Sequence, residues 1–129
     1  MNLIYTTKLP SKENIYKFYE ILEWNSFLKL SPEQLLEAMK NSWYSIYVYS
    51  GDNLVGTGRV ISDGVINAYL CGLGVLPDFR CKGIGTEIVK KLTQQCESNN
   101  LHVQLCCEEN LVQYYKEMGF EVFATAMKI

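Results

Sequence analysis

The chain has 129 residues, of which 48% are hydrophobic and 20% charged, and this favours one domain around one core. Its formal net charge is −2 and it has no run of Lys and Arg, so no nucleic-acid partner is expected. No stretch approaches the roughly 20 apolar residues that span a bilayer, and the first eight residues lack the apolar run of a signal peptide. We therefore expect a soluble protein with no membrane partner.

The cysteines argue against a metal site and against disulfide bonds. They are Cys71, Cys81, Cys96, Cys106 and Cys107. Their number is odd, no pair has the C-x-x-C spacing, and His102 is the only histidine, so neither a zinc site nor a disulfide framework is predicted. Free thiols suit a reducing compartment, and the expected location is the cytoplasm.

The first third of the chain predicts a short strand and two helices. Residues 3–7 could form the strand. Ser11 can cap a helix whose apolar residues recur at i, i+3, i+4 and i+7; they are Ile15, Phe18, Tyr19 and Leu22. A second helix is predicted after Ser31, with Pro32 at its first position and Gln34 at the capping-box position.

The middle of the chain predicts an antiparallel meander. Residues 44–49, 54–62 and 65–75 are the three strands, the first being rich in aromatic and β-branched residues. Residues 51–53 make one turn, and Asp63-Gly64 is a hairpin signal.

The last third predicts a helix that begins near Gly83, a strand over residues 102–107, and a helix over residues 111–118 that ends at Gly119. Residues 120–129 are predicted to form a final strand. A strand, a helix and a strand in succession imply a right-handed parallel crossover. The predicted fold is mixed α/β, with a partly antiparallel central sheet flanked by about four helices.

The turn between the third strand and the next helix can bind an anion. The strand ends at Val75, and Arg80 and Lys82 then supply positive charge before the helix begins. Unpaired N–H groups and the positive helix end point into this turn, and Gly83 and Gly85 leave room beside the backbone. An ordinary turn whose glycines serve packing is the alternative.

Two segments together resemble a known family, the GNAT superfamily of N-acetyltransferases. Its coenzyme A motif, [RQ]-x-x-G-x-[GA] after a V-x-P-like strand end, is matched by Val75-Leu76-Pro77 and Arg80-Cys81-Lys82-Gly83-Ile84-Gly85. Its second landmark, an aromatic-Tyr-x-x-x-Gly-Phe segment, is matched by Tyr114-Tyr115-Lys116-Glu117-Met118-Gly119-Phe120. Order and spacing agree as well. The resemblance is good over residues 44–122 and holds only in outline before them.

The resemblance implies acetyl-coenzyme A as the co-substrate. Its pyrophosphate is expected on the turn formed by Arg80, Cys81, Lys82, Gly83, Ile84, Gly85 and Thr86. The pantetheine arm is expected along Leu73 and Val75, pairing with the backbone as an added strand would. Gly72 and Gly74 suit a bulge where this strand separates from the next one, although they could merely soften an edge. Glu108 could contact coenzyme A, act as a distant base or cap the last helix, and capping is the favoured interpretation.

The implied reaction is direct transfer of the acetyl group to a primary amine of a small molecule. A backbone N–H near Val75 could polarise the thioester carbonyl. Tyr115 is the expected general acid for the leaving thiolate, although a core tyrosine with a bonded hydroxyl is the alternative. No general base is assigned, because residues 67–75 contain neither Asp nor Glu.

The acceptor is expected beside the link between the first two helices. The aromatic and weakly charged residues of this link are Trp24, Asn25, Ser26, Phe27 and Leu28. Trp24 and Phe27 as plain core residues are the alternative, and the more ordinary interpretation. Arg59 and Asp63 could touch substrate, although solvated charges at a hairpin are the more ordinary interpretation.

A catalytically silent acyl-coenzyme A-binding module and an enzyme acting on a protein or peptide amine remain alternatives. A homodimer is a weaker expectation, with an exposed aromatic surface on the strand over residues 44–49.

Overall fold

The computed structural model describes residues 2–129 and shows a mixed α/β fold. Its strands are β1 (Leu3–Thr6), β2 (Tyr44–Ser50), β3 (Asn53–Ser62), β4 (Asn67–Val75) and β5 (His102–Leu105). Its helices are α1 (Lys12–Ile21), α2 (Asn25–Leu28), α3 (Pro32–Lys40), α4 (Ile84–Glu97) and α5 (Val112–Lys116). The strands form one sheet in the order β1-β2-β3-β4-β5. Only the β4–β5 pair is parallel in this sheet, so the predicted meander and parallel crossover are both confirmed.

Side-chain caps begin α1 and α3 as the sequence predicts. The Ser11 hydroxyl accepts a hydrogen bond from the Asn14 N–H at 3.2 Å. At α3 the Ser31 hydroxyl accepts from the Gln34 N–H at 3.1 Å, and the Gln34 side chain accepts from the Ser31 N–H at 2.9 Å. These bonds satisfy N–H groups that have no partner within the helix.

The helices cover the sheet on both faces. The buried side of α4 consists of the predicted residues Ile84, Ile88, Val89, Leu92 and Cys96. This helix lies very close to β3, because a Cβ added to Gly58 would meet an Ile88 methyl group at 2.5 Å. The opposite face is covered by α1 and α3, whose apolar side chains pack with Tyr47 from β2.

The burial of Tyr47 corrects one expectation. Only 1% of its surface is exposed, so the aromatic strand is not the exposed dimer surface that its sequence indicated. A dimer of this chain remains a prediction that rests on no particular surface.

A short helix, α2, was not predicted in the link between α1 and α3. Its cause is the buried Asn25 side chain, whose amide donates to the Leu30 carbonyl and accepts from the Leu30 N–H, both at 2.9 Å. This pair of bonds closes the turn. The link between α1 and α3 therefore contains an ordered helical turn and is not an irregular loop.

The C-terminal elements are shorter than predicted. The strand expected over residues 102–107 ends at Leu105, and the helix expected over 111–118 is one turn of 3₁₀-helix (Glu109–Leu111) followed by α5. Gly119, at φ +99°, ends the helix as predicted. Residues 120–129 form no strand, and that prediction is wrong. Side chains such as Val122 and Phe123 are more than half exposed, so no buried face fixes a register against β5.

Within residues 2–129, none of the helices combines the length and the apolar character that crossing a bilayer requires.

Candidate active site

The site is built where β4 separates from β5. Their pairing ends at Leu70 and Leu105, so β4 continues to Val75 with its β5-facing edge unpaired. An unpaired strand edge offers N–H and C=O groups to an extended ligand. The separation that the sequence predicted at this point is confirmed.

A bulge accompanies the separation. Thr57 pairs with Gly74 whereas Arg59 pairs with Cys71, so β4 holds one residue more than β3 between these points. Gly72 lies in the bulge with φ +60°, a conformation that costs a glycine little. The buried Thr57 hydroxyl donates to the Gly72 carbonyl at 3.0 Å and fixes the bulge. The predicted bulge is confirmed.

Arg80 holds the end of β4 in place. Its Nε donates to the Val75 carbonyl at 3.0 Å, so the side chain folds back onto the strand. The next N–H, that of Leu76, donates to Val55 of β3 at 2.9 Å. Because successive residues of a strand direct their backbone groups to opposite edges, the Val75 N–H is directed to the open edge.

The turn that follows presents unpaired N–H groups. Gly83 caps α4 with φ +82° and without a side-chain hydrogen bond. The Gly83 carbonyl accepts the first bond of the helix, from the Glu87 N–H. The N–H groups of Ile84, Gly85 and Thr86 therefore have no partner within the helix, and together with the positive helix end they suit a phosphate.

An open cavity of about 490 Å³ connects this turn with the end of β4 and with α5. It is lined by nine of the predicted site residues: Leu73, Val75, Arg80, Cys81, Gly83, Ile84, Gly85, Thr86 and Tyr115. Lys82 and Glu108 are exposed and do not line it. Glu108 also makes no side-chain bond to the start of the 3₁₀ turn, so its expected capping role is not observed.

Tyr115 is half-buried in the wall of the cavity. Its ring packs edge-on against Tyr114 at 5.0 Å and against Phe120 at 5.9 Å between centroids. Burial raises the pKa of the Tyr115 hydroxyl, and the neighbouring Tyr114 and Cys107 raise that pKa further. The hydroxyl therefore carries its proton at neutral pH. No residue among 2–129 hydrogen-bonds to it, in contrast to the bonded core tyrosine that was the alternative.

Tyr114 also lines the cavity, a role that was not predicted from the sequence. Its hydroxyl lies 3.0 Å from Thr86 Oγ1, and a Cβ on Gly85 would approach that hydroxyl to 3.3 Å. Its position beside Tyr115 in the second landmark was the available signal. Gly85 thus makes room for Tyr114 as well as for a ligand.

Trp24 closes the cavity on the side of α1. Its indole lies against Gly74 so closely that a Cβ there would meet it at 2.4 Å, and it packs edge-on with Tyr19 at 5.1 Å. Of the residues expected around the acceptor, only Trp24 lines the cavity. Phe27 is 76% exposed, and the Asn25 side chain is used in its hydrogen bond to Leu30. The lining contains no Asp, Glu or His.

The bulged strand, the uncapped glycine turn and Tyr115 are brought together around one cavity, as the resemblance to the acetyltransferases implies. The model of the acetyltransferase (GNAT) family matches residues 4–120. The chain belongs to this family.

Individual proteins agree with this assignment. The chain is 28% identical, over 112 residues, to the uncharacterized N-acetyltransferase ycf52 of Pyropia yezoensis; the match covers 83% of this chain but 64% of that protein. The chain thus spans less than two thirds of this relative's length.

Solved structures share the fold. A probable acetyltransferase from methicillin-resistant Staphylococcus aureus has a TM-score of 0.83 at 20% identity, over 99% of this chain and 98% of that one. A GNAT-family acetyltransferase from Streptococcus pneumoniae has a TM-score of 0.79 at 26% identity, over 99% and 96%.

Proposed function

We propose that the protein transfers the acetyl group of acetyl-coenzyme A directly to a primary amine of a small molecule. The observation that carries the proposal is that the open edge of β4, the N-terminus of α4 and Tyr115 all line one cavity. Family membership supports acetyl-coenzyme A as the co-substrate.

The residues of the cavity fit the parts of this co-substrate. The unpaired N–H groups of Ile84, Gly85 and Thr86 would bind the pyrophosphate. The edge of β4 at Leu73 and Val75 would pair with the amides of the pantetheine arm. Lys82 would act from the rim as an exposed charge, since its side chain lies outside the cavity.

Two groups would act on the thioester. The Val75 N–H, which strand alternation directs to the open edge, would donate to the carbonyl oxygen as negative charge develops there. Tyr115, protonated at neutral pH, would donate its proton to the departing thiolate. The amine must lose a proton, and because no carboxylate or imidazole lines the cavity, water would accept it.

The small-molecule acceptor and the compartment belong to the same proposal. Trp24 narrows the cavity beside Gly74, which supports a compact acceptor over a polypeptide chain. The five cysteines are unpaired in the structure, which supports a reducing compartment such as the cytoplasm.

The first test is calorimetric titration with acetyl-coenzyme A, with free coenzyme A and ATP as comparators. Binding in the micromolar range, on the order of −8 kcal/mol, that ATP does not reproduce is the expected result. A panel of small amines and one lysine-containing peptide then tests transfer. If neither form of coenzyme A binds, the proposal fails.

A catalytically silent acyl-coenzyme A-binding module is the second candidate. The absence of Asp, Glu and His from the lining favours it. The unbonded, protonated Tyr115 favours the enzyme instead, because a binding module has no use for a proton donor at that position. Tight binding without acetylation of any amine or peptide in the panel would select the silent module.

A further inference from the structure

Cys71 and Cys106 lie on neighbouring strands at the point where these strands separate. The last pair in the parallel register of β4 and β5 is Leu70 with Leu105. Cys71 and Cys106 directly follow these two residues, so they are the next pair in the same register. The separation that leaves the edge of β4 open therefore begins at a pair of cysteines.

Both thiols belong to the face of the sheet opposite α4. On β4, Ala68 and Leu70 pack in the core with α4, and because side chains alternate along a strand, Tyr69 and Cys71 face the other side. The adjacent Cys106 thiol is the main reason that the pKa of Tyr69 is raised to about 12, and burial and the nearby Cys71 add to the rise. Both thiols are thus neighbours of one tyrosine side chain.

The spacing of the strands suits a disulfide bond. Neighbouring strands of a sheet lie about 4.8 Å apart, and disulfide bonds join residues whose Cα atoms are about 4.4–6.8 Å apart. A disulfide can therefore join two strands that have only begun to separate.

The two thiols differ in accessibility. Cys106 is exposed, and Cys71 is half-buried beside Arg59, its partner on β3. Burial raises the pKa of the Cys71 thiol, and the Arg59 charge partly offsets this rise. Arg59 is therefore not the solvated hairpin charge that the sequence suggested. An oxidant from solution reaches Cys106 first, and Cys71 is placed to react with the oxidised sulfur.

We propose that Cys71 and Cys106 form a reversible disulfide bond under mild oxidation, and that this bond closes the separation of β4 and β5 and weakens the binding of coenzyme A. The bond would hold β5 against β4 two residues before Leu73, whose open edge is expected to pair with the pantetheine arm. The effect on coenzyme A rests on the proposed function, but the formation of the disulfide does not. Disulfides in reducing compartments are usually transient and redox-sensing.

Hydrogen peroxide is the oxidant in this reaction. The Cys106 thiolate attacks a peroxide oxygen, which gives a sulfenic acid and, with the proton, one water. The Cys71 sulfur then attacks the Cys106 sulfur, so that the S–S bond forms and the sulfenic oxygen leaves as a second water. Two thiols are oxidised and one peroxide is reduced, and a dithiol such as dithiothreitol reverses the bond by thiol–disulfide exchange.

The test maps the bond and measures its effect. Reduced protein is treated with hydrogen peroxide, remaining thiols are alkylated, and mass spectrometry of unreduced peptides identifies any disulfide. Calorimetry gives the acetyl-coenzyme A affinity of the reduced, oxidised and re-reduced protein. Affinity is compared in a Cys81→Ser background, because Cys81 lines the cavity and its own oxidation would disturb the site. In that background Cys71→Ala and Cys106→Ser are compared with Cys107→Ser, which removes the neighbouring exposed thiol.

We expect a bond between Cys71 and Cys106, and an affinity about tenfold or more weaker after oxidation that dithiothreitol restores. Cys107→Ser should respond to peroxide as its parent does, whereas Cys71→Ala and Cys106→Ser should not respond. If Cys71→Ala folds poorly, Cys106→Ser, at an exposed position, decides alone.

Three results overturn the inference: no disulfide, a disulfide between Cys106 and Cys107 instead, or a mapped Cys71–Cys106 bond that leaves the affinity unchanged. If the reduced protein binds no coenzyme A, the proposed function fails, whereas the peptide map still decides whether the two thiols pair.

Discussion

The Tyr114 hydroxyl lies 3.0 Å from Thr86 Oγ1 and joins α5 to the first turn of α4. Residues of both helices line the cavity, and α5 has only five residues. So short a helix gains little stability from its own backbone bonds. The Tyr114–Thr86 pair therefore helps to hold Tyr115 in the cavity wall.

A double-mutant cycle measures this pair. Tyr114→Phe and Thr86→Val each remove one hydroxyl while they keep nearly the same shape. We expect a coupling energy of about 0.5–1 kcal/mol in the free energy of unfolding, because the bond is exposed to solvent. Urea denaturation of the four proteins gives the value. Strictly additive losses would show that the two hydroxyls do not stabilise one another.

Gly83 should be required for the cofactor beyond its effect on folding. Gly83→Ala places a side chain at φ +82° beside the unpaired N–H groups, where nothing lies within 4 Å of the new Cβ. The left-handed conformation costs roughly 1–2 kcal/mol, and the new methyl group would obstruct a phosphate. We expect both a lower midpoint of urea unfolding and a weaker acetyl-coenzyme A affinity, measured by calorimetry.

Gly51 supplies the matched control for this substitution. It lies in the β2–β3 turn at φ +60°, also with open space around an added Cβ. Gly51→Ala should lower stability to a similar extent without any change in acetyl-coenzyme A affinity. If both variants weaken binding equally, the effect of Gly83→Ala comes from stability alone.

Local signals in the sequence predicted most of the helices and strands and the part of the site that is expected to bind coenzyme A. Two such features are the helix caps at Ser11 and Ser31 and the apolar side of α4. They depend only on residues three or four positions apart, so a short stretch of sequence is enough to predict them. The turn before α4 is local in the same sense. Its conformation is set by glycine and by a helix start, and so it was predictable.

The parts that were missed depend on tertiary contacts. Residues 120–129 were predicted to form a strand, but a strand needs a partner edge and a buried face, and Phe123 has 61% of its surface exposed. Arg59 looked like a solvated charge, because only the folded sheet places it between Ser42 and Gly72. Asn25 looked like a pocket residue until its bonds to Leu30 were seen.

Tyr115→Phe tests the general acid through its pH dependence. The raised pKa keeps the hydroxyl protonated through neutral pH, so the acid is lost only above its ordinary pKa of about 10. We expect turnover to fall about 100-fold or more with little change in acetyl-coenzyme A affinity. The alkaline decline of kcat should disappear in Tyr115→Phe and remain in Tyr114→Phe. An alkaline decline that persists in Tyr115→Phe would assign that decline to another group.

Asp63 should make the stability of the β3–β4 connection depend on acid pH. Its Oδ1 accepts hydrogen bonds from the N–H groups of Ile66 at 2.7 Å, Val65 at 2.8 Å and Asn67 at 3.3 Å, and these bonds lower the pKa of the carboxyl. The ionised form is therefore favoured in the folded state. Its contribution to stability is complete above the unfolded pKa of about 3.9 and is lost as the pH falls through the lower folded pKa.

The variants Asp63→Ala and Asp63→Asn separate the charge from the hydrogen bonds. Asp63→Ala should lower the free energy of unfolding at about pH 7, and its difference from wild type should shrink as the pH falls below about 4. Asp63→Asn keeps a neutral oxygen that can accept the same bonds, so its stability should lack this acid dependence. Urea unfolding at several pH values measures both. A deficit of Asp63→Ala that stays constant from neutral to acid pH would mean that the ionised carboxylate is not what stabilises the turn, because only the protonation of Asp63 in the wild-type protein can make the two curves converge.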